Sequence, residues 1–436
     1  MKIIVPHKYT PRDYQIPVFE AIDNGVKRAV LIMHRRSGKD KTLINLVCKK
    51  AHERIGTYYY FFPTYTQGKK ILWNGRDRDG MKFMDHIPEE IRMRTDNTDM
   101  LVELKCGSLF QVIGTDKFDA VRGSNPVGCV FSEFAYQDPN VWGIIKPILK
   151  ENGGWAVFNT TPQGKNHAYD LYNMARDNKH WFCQLLTVDD TKREDGKPIF
   201  SKQDIKDERD EGTPEEEIQQ EYYCSFEAGL KGGYYTQNIE LARNEGRWDA
   251  NVPYDGATPV YTVWDLGIGD STSIWFIQVV GQEIRVIDCF ENSGEGLGYY
   301  IAHLKSLPYR YGDHFAPHDI DIREFTTGVS RLQTARNMGI GFRMVEKLSI
   351  DDGIDAVRAI FKRCWFDKEK TKEGRNALTA YHKEWDEKRK EFKRVPFHDW
   401  SSHYSDAFRY MALCANKMFV GEVSYGEDRV TANQDW

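Results

Sequence analysis

The chain has 436 residues, is 40% hydrophobic and 29% charged, and carries a formal net charge of −5. These proportions are those of a soluble globular protein of two or three domains. They exclude an overall basic field as the means of holding nucleic acid, though not a local basic cleft. No run approaches 18 apolar residues and the N-terminus has no signal-peptide pattern, so a cytosolic protein without a membrane span is expected. The eight cysteines are scattered and none forms C-x-x-C, which reads as free thiols in a reducing compartment rather than a zinc site.

In chain order, the first signal is Gln15 in "TPRDYQ". Its amide has the donor–acceptor pair that reads an adenine edge, although a surface glutamine is the ordinary alternative. Next comes "AVLIMHRRSGKDKT", residues 29–42, an apolar strand, a tight turn and a helix start. It approaches the phosphate loop G-x-x-x-x-G-K-[ST]. Gly38-Lys39 stand at the turn, Ser37, Gly38, Lys39, Asp40 and Lys41 are expected to bind the nucleotide, and Arg35 and Arg36 add positive charge beside its phosphates. Met33 stands where the first glycine belongs, and Asp40 where a metal-binding hydroxyl belongs. Further apolar runs, "TYYYFFPT", "GCVFSEF", "WAVFNTTP" and "WFCQLLTV", alternate with helical stretches. That alternation predicts a mostly parallel sheet covered on both faces.

"VGCVFSEF" ends in Ser132-Glu133 and "VFNTTPQG" carries Thr160 and Thr161. Ligands lie at the carboxyl ends of parallel strands, so Lys39, Glu133 and Thr160 are expected in one crevice. An acid at a strand end is where ATPases hold the metal and polarise water. Arg122, in "FDAVRGSNP", is either a solvated loop charge or an arginine finger that reaches a neighbouring subunit's γ-phosphate. Residues 202–223 are acidic and helix-prone, and read as a solvated helix face. The glycine-rich "EAGLKGGYY" reads as a linker. The expected division is 1–225 (its acidic helical part about 190–225), a linker at 226–255, and a second α/β domain at 256–436.

That second domain opens with three strands, "PVYTVWDLG", "TSIWFIQVVG" and "EIRVIDCFE", whose short "GD" and "GQ" connections predict antiparallel hairpins. Asp265 ends the first strand, Asp319 in "FAPHDI" ends the fourth, and Asp406 in "HYSDAFRYMAL" lies on a helix with His403 one turn earlier. Three carboxylates on two strands and a helix are a donor set for two Mg²⁺ or Mn²⁺ ions about 4 Å apart, the arrangement of phosphodiester hydrolysis. The strand order predicts an RNase H-like mixed sheet. Asp270, Asp288 and His318 are supporting candidates. The run "KRKEFKR", 388–394, follows a DNA backbone or forms a solvated helix.

Taken as an ordered set, "YQ", "HRRSGK", "VRG", "TTPQG", "EYYCSF", "WDLGIGDST", "PHD" and "HYSDAFRY" resemble the large terminase subunit of tailed bacteriophages along nearly the whole chain. The resemblance implies an ASCE-type P-loop ATPase motor followed by an RNase H-like nuclease. It implies pumping of viral double-stranded DNA into a procapsid through the portal protein, and cutting of concatemeric DNA. The implied partners are DNA, portal, a small terminase subunit and further copies of the chain in a ring, in the host cytoplasm and transiently at the portal. No membrane is implied. The implied cofactors are ATP with Mg²⁺ for the motor and two Mg²⁺ or Mn²⁺ for the nuclease. Carried across, Lys39 grips phosphates, Glu133 activates water, Thr160 and Thr161 sense the γ-phosphate, and Arg122 is the finger. Asp265, Asp319 and Asp406 hold the nuclease metals, with His403 assisting.

Two departures from that family are reciprocal: Asp40 replaces the usual hydroxyl and Ser132 the usual aspartate. The expectation is an exchanged pair, with Asp40 and Ser132 both serving the nucleotide's metal. Thr42 is two helical residues from Asp40, about 200° around the helix, and so faces away. A helicase-like translocase and nuclease of DNA repair shares most of this chemistry, and a non-hydrolysing DNA- or portal-binding scaffold is the reading from another class. The tail "GEVSYGEDRVTANQDW" is expected to be a disordered terminus.

Overall fold

The computed structural model of the chain describes residues 9–116, 121, 123–227, 232–267, 271–322, 329–386 and 391–419. Arg122, Asp270, the "GD" connection and the tail from residue 420 lie outside them. The chain divides into two compact units, Met1–Gly233 and Tyr234–Trp436.

The first unit is built on strands β1 (Arg28–Met33), β2 (Thr57–Phe62), β3 (Arg92–Asp96), β4 (Leu101–Leu104), β5 (Leu109–Gly114), β6 (Pro126–Ser132), β7 (Trp155–Thr160) and β8 (Phe182–Leu186). They form one sheet in the order β3-β4-β5-β2-β6-β7-β1-β8. Pairing is parallel from β5 through β8 and antiparallel only at the β3-β4-β5 end. The central strands are apolar throughout because both faces are covered. Ala29, Leu31 and Met33 of β1 enter one core, and Val30 and Ile32 enter the other. One strand, β7, lies between the loop strand β1 and the acidic strand β6, which gives the mostly parallel ATPase-type sheet expected from the sequence.

Register then places the chemistry. Ile32 faces Thr160 across β1 and β7, and Ser132 faces Asn159 across β6 and β7. The three strands end at one level, so the residues that follow them converge. After β1 the chain turns through Gly38, at φ 83, into helix Lys39–Glu53. A side chain at residue 38 would be strained at that φ, and its Cβ would meet the Gln15 amide at 3.1 Å. The helix buries Leu43, Ile44, Leu46, Val47 and Ala51 on the face of the sheet shared with β2 and β5.

The acidic stretch 202–223 forms two helices, Lys202–Asp210 and Glu215–Glu221. They are solvated on one side, but Ile205, Ile218 and Tyr222 close a small core with Val188.

The second unit has strands β9 (Val260–Asp265), β10 (Ser271–Val280), β11 (Glu283–Ser293), β12 (Tyr311–Ala316), β13 (Phe342–Met344) and β14 (Cys364–Phe366) in the order β13-β12-β9-β10-β11-β14. The three-strand antiparallel meander β9-β10-β11 is extended by β12 and β13, which run parallel to β9. This is the RNase H-like arrangement. Val263, Trp275 and Phe315 pack on the face covered by helix Ser402–Phe419, and Trp264, Phe276 and Ala316 on the other.

Two expectations are corrected here, and three strands are added. The stretch 226–255 is not a linker throughout: Tyr234, Tyr235, Ile239 and Trp248 are buried in the core of the second unit, and Thr236–Asn244 is a helix. Their bulk outweighs the adjacent glycines. Within "KRKEFKR", residues 391–394 are not helical. They belong to β16 (Glu391–Pro396), which pairs antiparallel with β15 (Lys383–Asp386). The strands β3, β4 and β5 were not anticipated: "RMRTD" is polar and without alternation, whereas "LVEL" and "LFQVIG" do alternate in burial, a signal that the sequence reading missed. Among the described residues no helix is long and apolar enough to cross a membrane.

Candidate functional site

At the carboxyl ends of β1, β6 and β7 the first unit gathers Lys39, Asp40, Ser132, Glu133, Asn159, Thr160 and Thr161. Lys39 is buried, with Nζ 2.7 Å from Glu133 Oε1 and donating to Thr161 Oγ1 at 2.8 Å. Thr160 accepts from Ala135 N through Oγ1, beside the Glu133 turn. Glu133 adopts φ 56 and ψ 47, a left-handed conformation that costs a residue with a Cβ roughly 1–2 kcal/mol. Such strain persists where the surroundings fix it, commonly at working sites. Here Asn159 Oδ1 holds the Glu133 amide at 3.1 Å.

Asp40 is the second focus. Its Oδ1 accepts from Ser132 Oγ at 2.6 Å, from the Tyr60 hydroxyl at 2.8 Å and from Asn159 Nδ2 at 3.3 Å. Asn159 therefore joins Asp40 to the Glu133 backbone. Tyr60 is completely buried, and burial first and then the Asp40 charge push its hydroxyl well above the usual range, so it remains a donor. Thr42 is turned elsewhere, donating to Gly38 O at 3.1 Å and accepting from the Tyr9 hydroxyl.

The loop fits a phosphate group in one specific respect. Ser37 is fully buried and its Oγ has no hydrogen-bond partner among the described residues, a costly state for a hydroxyl that an anion in the loop would relieve. Arg36 is exposed, and Arg35 lies 3.8 Å from Glu221. Burial raises the carboxyl of Glu221, and the charges of Arg35 and Lys39 lower it.

Two residues assigned to nucleotide from the sequence have other partners. Gln15 is buried: its Oε1 accepts from Arg12 N and the Tyr9 hydroxyl, and its Nε2 donates to Ser37 O. It braces the loop instead of offering a free edge to adenine. Lys41 Nζ is 2.8 Å from Asp77, so its charge is already paired.

In the second unit, Asp265 ends β9 and Asp406 lies on helix Ser402–Phe419. Asp319 does not end the fourth strand. It follows β12 by three residues, in the short turn His318–Asp321. All three carboxylates act on one group: the Tyr410 hydroxyl is pushed up first by burial, then by the charges of Asp265, Asp406 and Asp319. Asp406 Oδ1 accepts from Arg409 Nη2 at 2.7 Å and from the Tyr381 hydroxyl at 3.3 Å. Asp319 Oδ1 is buried without a hydrogen bond from any described residue.

Hard carboxylate oxygens suit Mg²⁺ or Mn²⁺, and the orphaned Asp319 oxygen fits a cation. Among the described residues, however, no three His, Cys, Asp or Glu side chains close into a metal-holding cluster. His403 is buried, with its ring edge-on to His398. His318 is exposed beside Asp319. Asp288 is corrected: it pairs with Phe276 on the opposite face from Asp265 and accepts from the Tyr309 hydroxyl at 2.8 Å.

The sequence reading missed Tyr60, Asn159 and Glu291. Asn159 is a fully buried polar residue inside an apolar strand, which is a signal visible in "VFNTT". Glu291 lies in register with Ser273, and Ser273 with Asp265. The three therefore share one sheet face, with Ser273 Oγ donating to Glu291 Oε2 at 2.6 Å.

No family model matches the sequence, and no curated protein matches it. Solved structures do. The chain is similar to the large terminase of a thermophilic bacteriophage in complex with ADP, at 15% identity and a TM-score of 0.41 over 94% of this chain and 99% of that one. It is also similar to the large terminase ATPase domain of Thermus phage P74-26, at 20% identity and a TM-score of 0.40 over 50% of this chain and 94% of that one. The large terminase nuclease of thermophilic phage G20c with bound cobalt matches at 13% identity and a TM-score of 0.30, over 43% of this chain and 97% of that one.

Proposed function

We propose that the chain is an ATP-driven motor that moves viral double-stranded DNA into a procapsid, joined to a metal-dependent nuclease that cuts the same DNA. The observation that carries the motor is the convergence of Lys39, Asp40, Ser132, Glu133 and Thr161 at the ends of three adjacent parallel strands. That is where a P-loop ATPase holds and splits its nucleotide.

In this reading the turn Arg35–Gly38 and Lys39 bind the phosphates. Nucleotide draws Lys39 from Glu133, and the freed carboxylate takes the proton of the water that attacks the γ-phosphorus as the bond to the β-phosphate oxygen breaks. Thr161, bonded to Lys39, registers whether the γ-phosphate is present. Mg²⁺ bound with ATP neutralises charge developing on the phosphates. In the second unit Asp265, Asp319 and Asp406 are the carboxylates for Mg²⁺ or Mn²⁺, whose chemistry is to polarise a phosphodiester and its attacking water. Portal, small subunit, a ring of copies and a site of action in the host cytoplasm belong to the same proposal.

The test is ATP turnover and DNA uptake by the full chain on portal-bearing procapsids, with Glu133→Gln as control. Turnover that needs Glu133 and drives uptake supports the motor. Equal inactivity of wild type and variant on procapsids refutes it.

A further inference from the structure

The usual P-loop site takes one metal ligand from a Ser or Thr after the loop lysine and the other from an aspartate at the end of the acidic strand. This chain has Asp40 and Ser132 there. We propose that the pair is a working exchange: the carboxylate that holds the nucleotide's divalent cation comes from the loop helix, the hydroxyl from the strand, and Tyr60 and Asn159 are positioning residues for the carboxylate. The inference rests on the ATP-site reading above.

Three observations carry it. The two side chains touch, with Ser132 Oγ 2.6 Å from Asp40 Oδ1. The loop helix and the strand end therefore front one point, and a cation there meets one carboxylate and one hydroxyl whichever element supplies each. Next, the three donors to Asp40, from Ser132, Tyr60 and Asn159, all take Oδ1. None of the described residues donates to Oδ2, so the carboxylate is fixed in direction while one oxygen stays available. Finally, Asp40 follows the phosphate-binding lysine directly and stands in the first turn of the helix, where the dipole tolerates an anion.

The exchange has a consequence that the ordinary arrangement lacks. A carboxylate in the loop's own helix repels triphosphate unless a cation stands between them. Nucleotide affinity should then depend strongly on the metal, and the dependence should follow the carboxylate when it is moved.

The experiment is equilibrium binding of adenosine 5′-(γ-thio)triphosphate to the full chain, with Mg²⁺ or with EDTA. Wild type is expected to bind about tenfold or more tighter with Mg²⁺. Asp40→Asn, nearly the same shape, is expected to lose most of that ratio, gaining affinity without metal and losing it with metal. Asp40→Ser with Ser132→Asp is expected to restore the ratio beyond either single change. Tyr60→Phe, with unchanged thermal unfolding, is expected to lower the ratio a few-fold without affecting metal-free binding. Equal wild-type affinity with and without Mg²⁺ overturns the exchange but leaves the ATP site standing. Absence of binding in both conditions overturns the ATP site itself. Strictly additive effects in the double variant overturn direct coupling of the two residues.

Discussion

In the first unit Lys39 touches Glu133 and Thr161, Asp40 touches Ser132, Tyr60 and Asn159, and Asn159 ties the two groups together. In the second, Asp319 Oδ1 is buried without a partner among the described residues, and Asp406 leans on Arg409 of its own helix and on Tyr381. The difference follows from where the residues come from. The first site is assembled on adjacent parallel strands whose register is fixed by backbone hydrogen bonds, so its polar groups arrive at hydrogen-bonding distance. The second draws acids from a strand end, a turn and a helix that pack separately against the sheet. Like charges also oppose their closing together. One site is wired by the protein; the other is a set of acids on elements that no shared strand register ties together.

The most severe test of that contrast is in the second unit. The full chain is expected to cut DNA only with Mg²⁺ or Mn²⁺, and Asp265→Ala to lower cutting by about 10³-fold or more, since metal stabilisation of a phosphoryl transition state is worth several kcal/mol. Gel assays of plasmid cleavage measure this. Undiminished cleavage by the variant places the active centre elsewhere. In the first unit Glu133→Gln is expected to lower ATP turnover by about 10²- to 10⁴-fold, the usual reach of a general base, with nucleotide binding retained. Parallel loss of binding and turnover would make Glu133 a structural partner of Lys39.

The sequence was most readable where one strand carried its own signal. Continuous apolar runs marked β1, β2, β6 and β7, because central parallel strands have no wet face; β8 was marked by its own apolar run although it is a half-buried edge strand. Two motif departures ninety-odd residues apart placed Asp40 and Ser132 together. What could not be read was the choice of partner. Gln15 has a suitable amide for adenine, but Arg12, Tyr9 and Ser37 take it. Lys41 looks like a phosphate ligand until Asp77, 36 residues on, pairs with it. Asp288 is near the acids in sequence, yet strand alternation sends it to the other face. Linear spacing fixes which residues are near a site, and only packing decides which of them turn towards it.

Each unit also carries a buried histidine whose pKa burial depresses, which allows their acid responses to be compared. His34, directly before the loop, bonds Thr191, and His314 of β12 bonds Thr262. Burial lowers both to about 4 from an unfolded value near 6.5. The folded form resists protonation, so their contribution to stability is fully present above about pH 6.5. It is lost as pH falls towards 4, at up to roughly 1.4 kcal/mol per pH unit for each histidine. Thermal unfolding followed from pH 7 to pH 4 should show both units weakening in that window. His314→Asn should flatten the response of the second unit while leaving the first unchanged. A common flattening of both would mean that the units do not unfold separately.

The smallest expected effect bears most directly on how the first site is wired. Lys39 and Glu133 stand 2.7 Å apart with side chains 9% and 26% exposed, so on the ATP-site proposal nucleotide breaks a partly sheltered ion pair before Lys39 reaches phosphate. Removing the acid removes the competitor. Glu133→Ala is therefore expected to bind ATP with Mg²⁺ several-fold more tightly than wild type, reflecting about 1 kcal/mol for such a pair, while its turnover falls. Nothing comparable is expected in the second unit for Arg409→Ala, because there the arginine is a counter-charge to Asp406 and its loss leaves a carboxylate freer to take a cation but less well held. Isothermal titration of the Glu133 variant decides the matter. Weaker binding than wild type would mean that Glu133 helps to hold the nucleotide, and that the wiring of this site supports the bound state instead of guarding the empty one.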